Sequence, residues 1–86
     1  MTLTKQAVAE KLVAYLHHEI GLNQLVEWAE LAMMDGEFEE ADAELIADVV
    51  ARLGVADTRA FGLAWADCEK LLRQLGYVTR VEIVAA

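Results

Sequence analysis

The stretch from Leu25 to Met34, LVEWAELAMM, constrains the fold of this chain most strongly. Eight of its ten residues are apolar, whereas a helix on a protein surface needs only one apolar stripe. At 100° per residue, Leu31 and Met34 fall beside Glu27 and Glu30, opposite a wholly apolar face. We therefore expect an interior helix covered on more than one side, with Leu31 and Met34 covered by another helix or by a partner. The apolar face consists of Leu25, Trp28, Ala29 and Ala32.

The spacing of the other apolar residues predicts a mostly α-helical fold. Proline is absent and hydrophobic residues make up 57% of the 86 positions, which favours a helical core over a loop-rich scaffold. A chain of this length forms one domain, residues 1–86. We expect a compact four-helix bundle with one short helical turn and a single C-terminal β-strand. The predicted helices are about 5–18, 22–34, 38–53 and 65–75, with the turn at about 57–61 and the strand at about 77–84.

Two residues are predicted to begin helices. The Thr4 hydroxyl can accept a hydrogen bond from the unpaired amides of the first helical turn. Gly21 is predicted as the N-cap of the second helix, with Gln24 at the third helical position and Ile20 packing on Leu25. These caps define the first two helix starts.

Glycines are predicted to end three helices. Gly36 is expected to take a positive φ after the second helix, because glycine has no Cβ atom to clash there. Gly54 followed by Val55, and Gly76 followed by Tyr77, have the glycine-plus-apolar pattern of the Schellman motif. The third and fourth helices should therefore end just before these glycines.

The C-terminal tail changes from helical to alternating periodicity. Its β-branched residues are typical of a strand, and a strand needs a neighbour for its backbone amides and carbonyls. That neighbour is residues 1–4 or 18–20 of the same chain, or the same strand of a second copy, paired antiparallel across a two-fold axis. The residues predicted for self-association are Val78, Arg80, Glu82 and Val84.

Negative charge is concentrated in the middle of the chain. The formal net charge is −8, and no Lys or Arg occurs between Lys11 and Arg52. Such a surface repels nucleic acids and anionic membranes, so neither is an expected partner, and it attracts basic protein surfaces. A face that is only solvated is the alternative. The acidic residues of this stretch are Glu19, Glu27, Glu30, Asp35, Glu37, Glu39, Glu40, Asp42, Glu44 and Asp48.

Metal sites are not predicted. His17 and His18 are adjacent on a helix and point about 100° apart, so they cannot readily bind one ion together. The sequence from Asp35 to Ile46 lacks the ligand spacing of an EF-hand. A weak divalent-metal contact through Asp35, Glu37 and Glu40 stays open as an alternative.

Enzymatic chemistry and cofactors are not predicted either. Cys68 lies on the apolar side of a helix, where a small buried hydrophobe is expected instead of a reactive thiol. A single cysteine forms no internal disulfide, and neither a leader pattern nor an apolar run of 18 residues is present. We expect no catalytic residue, no cofactor and a cytoplasmic location.

Two resemblances bear on the fold. The phrase Asp35-Gly36-x-Phe38, followed by Asp42 and Leu45-Ile46, resembles the segment that joins two helices in tellurite-resistance TerB-like domains. This likeness implies a helix pair around residue 36. A longer likeness is to a group of short acidic bacterial helical proteins, which implies similar helix boundaries and a capping Thr or Ser where this chain has Ala64. It runs through residues 25–30, 61–69 and 75–77 and into the predicted strand.

The charge pattern favours a small non-enzymatic protein-interaction module, in the manner of an antitoxin or immunity protein. It would dock a basic partner, with apolar anchors holding the complex and charge guiding encounter. The alternative is a homodimeric structural module assembled through the C-terminal strand. The residues predicted to bind the partner are Glu27, Glu30, Leu31, Met34, Glu40, Glu44 and Asp48.

Overall fold

Four helices make up most of the described chain, so the predicted mostly helical fold is confirmed. The structure is a computed structural model that describes residues 2–58 and 62–80. Two short strands, absent from the prediction, pair in parallel. No helix among the described residues has both the length and the hydropathy to cross a bilayer. The elements are β1 (Thr2–Leu3), α1 (Lys5–Leu16), α2 (Leu22–Asp35), β2 (Glu37–Phe38), α3 (Ala43–Gly54) and α4 (Trp65–Gln74).

One core joins all four helices, and α2 packs mainly on α3 and also on α1. Leu25, Ala29 and Ala32 are fully buried, as the apolar face of α2 predicts. Leu31 and Met34 are exposed, so no helix among the described residues covers them. Each fully buried Leu, Ile or Val stabilises the fold by roughly 1.5–3 kcal/mol. The largest buried side chains are Leu3, Leu12, Leu25, Ile46, Leu53, Leu75, Val8, Val49, Val50 and Cys68.

The predicted helix starts of α1 and α2 are confirmed. Thr4 Oγ1 accepts a hydrogen bond from the Ala7 amide at 3.0 Å. The Gly21 amide donates to Gln24 Oε1 at 2.8 Å, which is the half of a capping box that glycine can make. Both bonds pair groups at helix starts that the helices themselves leave unsatisfied.

Helix α1 ends at Leu16, two residues before the predicted end. His18 adopts φ 61°, and its amide donates to the Tyr15 carbonyl at 3.1 Å while the Glu19 amide donates to the Ala14 carbonyl at 2.9 Å. These two bonds form a Schellman motif, with a histidine in the left-handed position that glycine usually occupies.

The predicted start of the third helix at residue 38 is wrong, because Phe38 pairs with β1. Thr2 lies opposite Glu37 and Leu3 opposite Phe38, and the Glu39 amide donates to the Leu3 carbonyl at 2.9 Å. A 3₁₀ turn, Glu40–Asp42, then precedes α3. Residues 1–4 were one of the predicted neighbours of the C-terminal strand, but Thr2 and Leu3 pair with β2 instead.

Gly36 ends α2 without the predicted positive φ. Its φ is −80°, which any residue can adopt. A Cβ atom at this position would overlap the Ala32 carbonyl oxygen and lie 2.7 Å from Leu3 Cδ1. Glycine is therefore required mainly by the Ala32 carbonyl in the last turn of α2, and secondarily by the approach of Leu3 from β1.

Of the two predicted Schellman motifs, only the one after α4 forms. Gly76 has φ 94°, its amide donates to the Arg73 carbonyl at 3.0 Å, and the Tyr77 amide donates to the Leu72 carbonyl at 2.9 Å. Gly54 is instead the last residue of α3, without a positive φ, and Val55 is the C-cap. The predicted motif at Gly54 is wrong.

The described part of the tail, residues 77–80, contains no strand. Residues 81–84 of the predicted strand lie outside the described residues. Asp57 and Thr58 of the predicted helical turn lie in a hydrogen-bonded turn after α3, and residues 59–61 are outside the described part.

Candidate functional site

The outer side of α2 combines two carboxylates with two apolar side chains. Glu27, Glu30, Leu31 and Met34 have the i, i+3, i+4, i+7 spacing of a single helix face, opposite the buried face that packs on α3. All four are exposed, Leu31 to 55% and Met34 to 79%. The sequence-based placement of Leu31 and Met34 beside the two glutamates is therefore reproduced by the helix.

The solvent side of α3 and the turn before it contribute three more carboxylates. Glu40 lies in the 3₁₀ turn, and Glu44 and Asp48 lie on α3 opposite the buried Ile46 and Val50. All three carboxylates are exposed. Like charges at i, i+4 destabilise a helix by roughly 0.2–0.5 kcal/mol per pair, while Glu44 in the first turn is favoured by the helix dipole. The residues predicted from the sequence to bind a partner, which we call the acidic face, thus lie on two elements: Glu27, Glu30, Leu31 and Met34 on α2, and Glu40, Glu44 and Asp48 on α3 and the turn before it.

Within the described residues, no ion pair neutralises a carboxylate of the acidic face. The three cations that form ion pairs there, Lys5, Arg52 and Arg73, pair with carboxylates elsewhere, and none of the five carboxylates of the acidic face has an ion pair or hydrogen bond with a described residue. Asp48 also lines a surface cleft with Arg52, Asp67 and Lys70, so charges of both signs lie on that side of the acidic face. The ion pairs are Lys5–Asp42 at 3.6 Å, Arg52–Asp67 at 3.8 Å and Arg73–Glu69 at 3.7 Å.

Two further apolar residues near these helices were not predicted. Met33 is 53% exposed, and a Cβ atom at Gly54 would lie 3.8 Å from its sulfur, so Met33 packs over the end of α3. Val55, the next residue after α3, is also exposed. The sequence signal for the position of Met33 was Gly54, because a glycine at a helix end leaves room for a long side chain from a neighbouring helix.

Cys68 is fully buried in α4 and is part of the core. Burial, and secondarily the Asp67 carboxylate, raise the pKa of its thiol above the ordinary value of 9.0; Arg52 and a backbone hydrogen bond act in the opposite direction. The thiol therefore stays protonated near neutral pH, unlike a nucleophilic cysteine.

Metal-binding geometry does not occur among residues 2–58 and 62–80. These ranges contain no group of three or more His, Cys, Asp or Glu side chains placed to hold a metal ion. Asp35, Glu37 and Glu40, considered above for a divalent ion, are each exposed. His17 and His18 end α1 and are also exposed.

A second surface feature lies between α1, α4 and the tail. Val13, Trp65, Tyr77 and Val78 are exposed hydrophobic residues that line a cleft of about 290 Å³ together with Leu16, His17, Leu72, Thr79 and Arg80. We call it the tail cleft. Val78 and Arg80 were predicted for self-association, whereas the contributions of α1 and α4 were missed. The other two predicted residues, Glu82 and Val84, lie outside the described residues.

Comparisons with protein-family models, with curated proteins and with solved structures found no match to this chain.

Proposed function

We propose that this chain is a non-enzymatic protein-interaction module, of the antitoxin or immunity type, that docks a basic protein surface through the acidic face. The observation that carries the proposal is the exposure of Leu31 and Met34 among carboxylates that have no ion pair within the described residues. A basic partner would neutralise these carboxylates and cover the two apolar side chains, so binding would remove both unfavourable features of the exposed surface.

The two components of the acidic face have different roles. Carboxylates raise the rate of encounter with a basic surface and select against acidic ones. Leu31 and Met34 anchor the complex, because burying apolar area is favourable by roughly 25 cal/mol per Å². A helix fixed by its buried face holds these anchors in place before binding, which reduces the entropy lost on association.

Capture experiments with charge-reversed variants test the acidic face. The double variant Glu40→Lys/Glu44→Lys changes the net charge by four and should lose a partner that the wild-type chain captures from a host lysate. The matched control is Glu10→Lys/Glu19→Lys, which makes the same change at two exposed positions outside the face. Circular dichroism should show equal helicity for all three proteins. Equal capture by both variants, or equal loss, would remove the acidic face as the docking surface.

A second candidate function, self-assembly through a C-terminal strand, has support from the tail. Val78 is 88% exposed, and the backbone amides of residues 78–80 donate to no backbone carbonyl of a described residue. Pairing with the same segment of a second copy would satisfy such groups and cover Val78. Sedimentation of the full chain beside a chain ending at Tyr77 tests it: the full chain should be a dimer and the shorter chain a monomer. A dimer that survives the truncation would place the interface on the helices.

A further inference from the structure

The tail cleft has apolar walls from three parts of the chain. Val13 and Leu16 come from α1, Trp65 and Leu72 from α4, and Val78 from the tail. Its volume of about 290 Å³ is near the lower end of small-molecule sites, roughly 300–1,000 Å³. Four of its lining residues are large hydrophobics more than a third exposed, so an apolar ligand body would bury surface that now contacts solvent.

Hydrogen bonds hold the tail wall of the cleft against α4. The Tyr77 amide donates to the Leu72 carbonyl at 2.9 Å, and the Thr79 hydroxyl donates to Glu69 Oε2 at 3.1 Å. Val78 lies between these two anchored residues, and Arg80 follows them. The cleft is thus formed before any ligand arrives.

Arg80, the one described lining residue of the tail cleft with a permanent charge, is opposite in sign to the net charge of the chain. Fifteen acidic and seven basic residues give the chain its net charge of −8, yet none of the described residues that line this cleft is acidic. Its charged or titratable lining groups besides Tyr77 are His17 and Arg80. Unlike Arg73, which pairs with Glu69, Arg80 makes no ion pair with any described residue. An apolar cleft with a guanidinium group at its edge is complementary to an apolar anion.

We propose that the tail cleft binds a small organic anion, with the apolar body of the ligand between Val13, Trp65 and Val78 and its carboxylate on Arg80. Guanidinium groups bind carboxylates through charge-assisted and often bidentate hydrogen bonds. The site is separate from the acidic face and does not depend on the proposed function.

Calorimetric titration with decanoate tests the site, with decanol and decyltrimethylammonium as probes of equal chain length and different charge. Decanoate should bind saturably with one site per chain and should shift the emission of Trp65, observed alone in a Trp28→Phe background. Decanol should bind at least tenfold more weakly, because it lacks the carboxylate. Equal binding of decanoate and decanol, or no saturable binding of decanoate, would overturn the proposal.

Substitution of Arg80 locates the carboxylate. Arg80→Gln should weaken decanoate binding about tenfold or more, whereas the matched variant Arg73→Gln, an exposed arginine outside the cleft, should stay within twofold of wild type. Val13→Glu, at a position already 39% exposed, should abolish binding by placing a carboxylate in the cleft. Equal effects of Arg80→Gln and Arg73→Gln would overturn the proposal. So would a dimer that persists with saturating decanoate and covers the cleft.

Discussion

A single histidine conformation sets the end of α1. Left-handed φ values cost non-glycine residues roughly 1–2 kcal/mol, and His18 has φ 61°. His17, one position earlier, has the ordinary φ of −87°. Of these two neighbouring histidines, only His18 has an energetically costly backbone conformation.

Replacing His18 by glycine should stabilise the protein. His18→Gly should raise the free energy of unfolding by about 0.5–1 kcal/mol, since relief of the left-handed cost exceeds the roughly 0.4–1 kcal/mol lost through the greater freedom of unfolded glycine. His17→Gly should lower it, because no strain is relieved there. Urea unfolding of both variants measures the difference. Equal effects would show that His18 is not strained.

The buried Cys68 thiol predicts a pH dependence of stability. Because burial raises its pKa above 9.0 in the folded chain, the unfolded chain releases this proton first as pH rises. The contribution of Cys68 to the free energy of unfolding should therefore be constant below about pH 9 and fall between that value and the raised pKa. Comparing wild type with Cys68→Ala across pH 7–10.5 isolates the effect. A difference independent of pH would contradict the assignment.

At the scale of elements, the helices were predicted from the sequence more accurately than the contacts between distant segments were. Periodic apolar residues placed all four helices, and Thr4, Gly21 and Gly76 marked ends that the structure confirms. The pairing of β1 with β2 was missed because each strand has two residues, which is too few for any periodicity. Helix α3 was consequently extended back to Phe38.

The two candidate sites differ in the same way: one was predictable from the sequence and the other was not. The acidic face lies on two helices whose solvent sides follow from their buried sides, so its exposure was predictable from spacing. The tail cleft was not, because Val13 and Trp65 come together only through the packing of α1 near α4. A local sequence pattern does not predict a tertiary contact of this kind.

Replacing glycine by alanine should change the stability of the protein in opposite directions at Gly36 and Gly54. Gly36→Ala should destabilise the protein by about 1–3 kcal/mol, because the added Cβ would overlap the Ala32 carbonyl and approach Leu3 Cδ1 at 2.7 Å. Gly54→Ala should stabilise it by about 0.5–1 kcal/mol, since its nearest neighbour is Met33 sulfur at 3.8 Å and alanine favours the helix. Thermal unfolding distinguishes them. Equal changes would refute the close approach at Gly36.

At the scale of the whole molecule, self-repulsion of negative charge lowers stability. The net charge of −8 is concentrated between Lys11 and Arg52, and Asp42 is the one residue of that stretch with an ion pair to a described cation. Salt shortens the distance over which exposed charges interact, from about 10 Å at 0.1 M to about 3 Å at 1 M. The acidic face is therefore a cost to the isolated chain.

Salt should accordingly stabilise this protein. Raising NaCl from 0.05 to 0.5 M should increase the free energy of unfolding, with the Glu44–Asp48 pair on α3 contributing roughly 0.2–0.5 kcal/mol. The increase should be smaller in Glu40→Lys/Glu44→Lys, as measured by urea unfolding at each salt concentration. A decrease with salt in the wild-type chain would show that attractive pairs outweigh repulsion.

The pairing of β1 with β2 also determines the order in which the chain can fold during synthesis. Thr2 and Leu3 leave the ribosome before α1 and α2, but the strand that pairs with them is made only after both helices. Closing this long-range contact requires the intervening segment to fold back on itself, at an entropic cost that local helix formation does not have. Leu3, almost fully buried in the finished protein, therefore stays without its final neighbours until Phe38 has emerged.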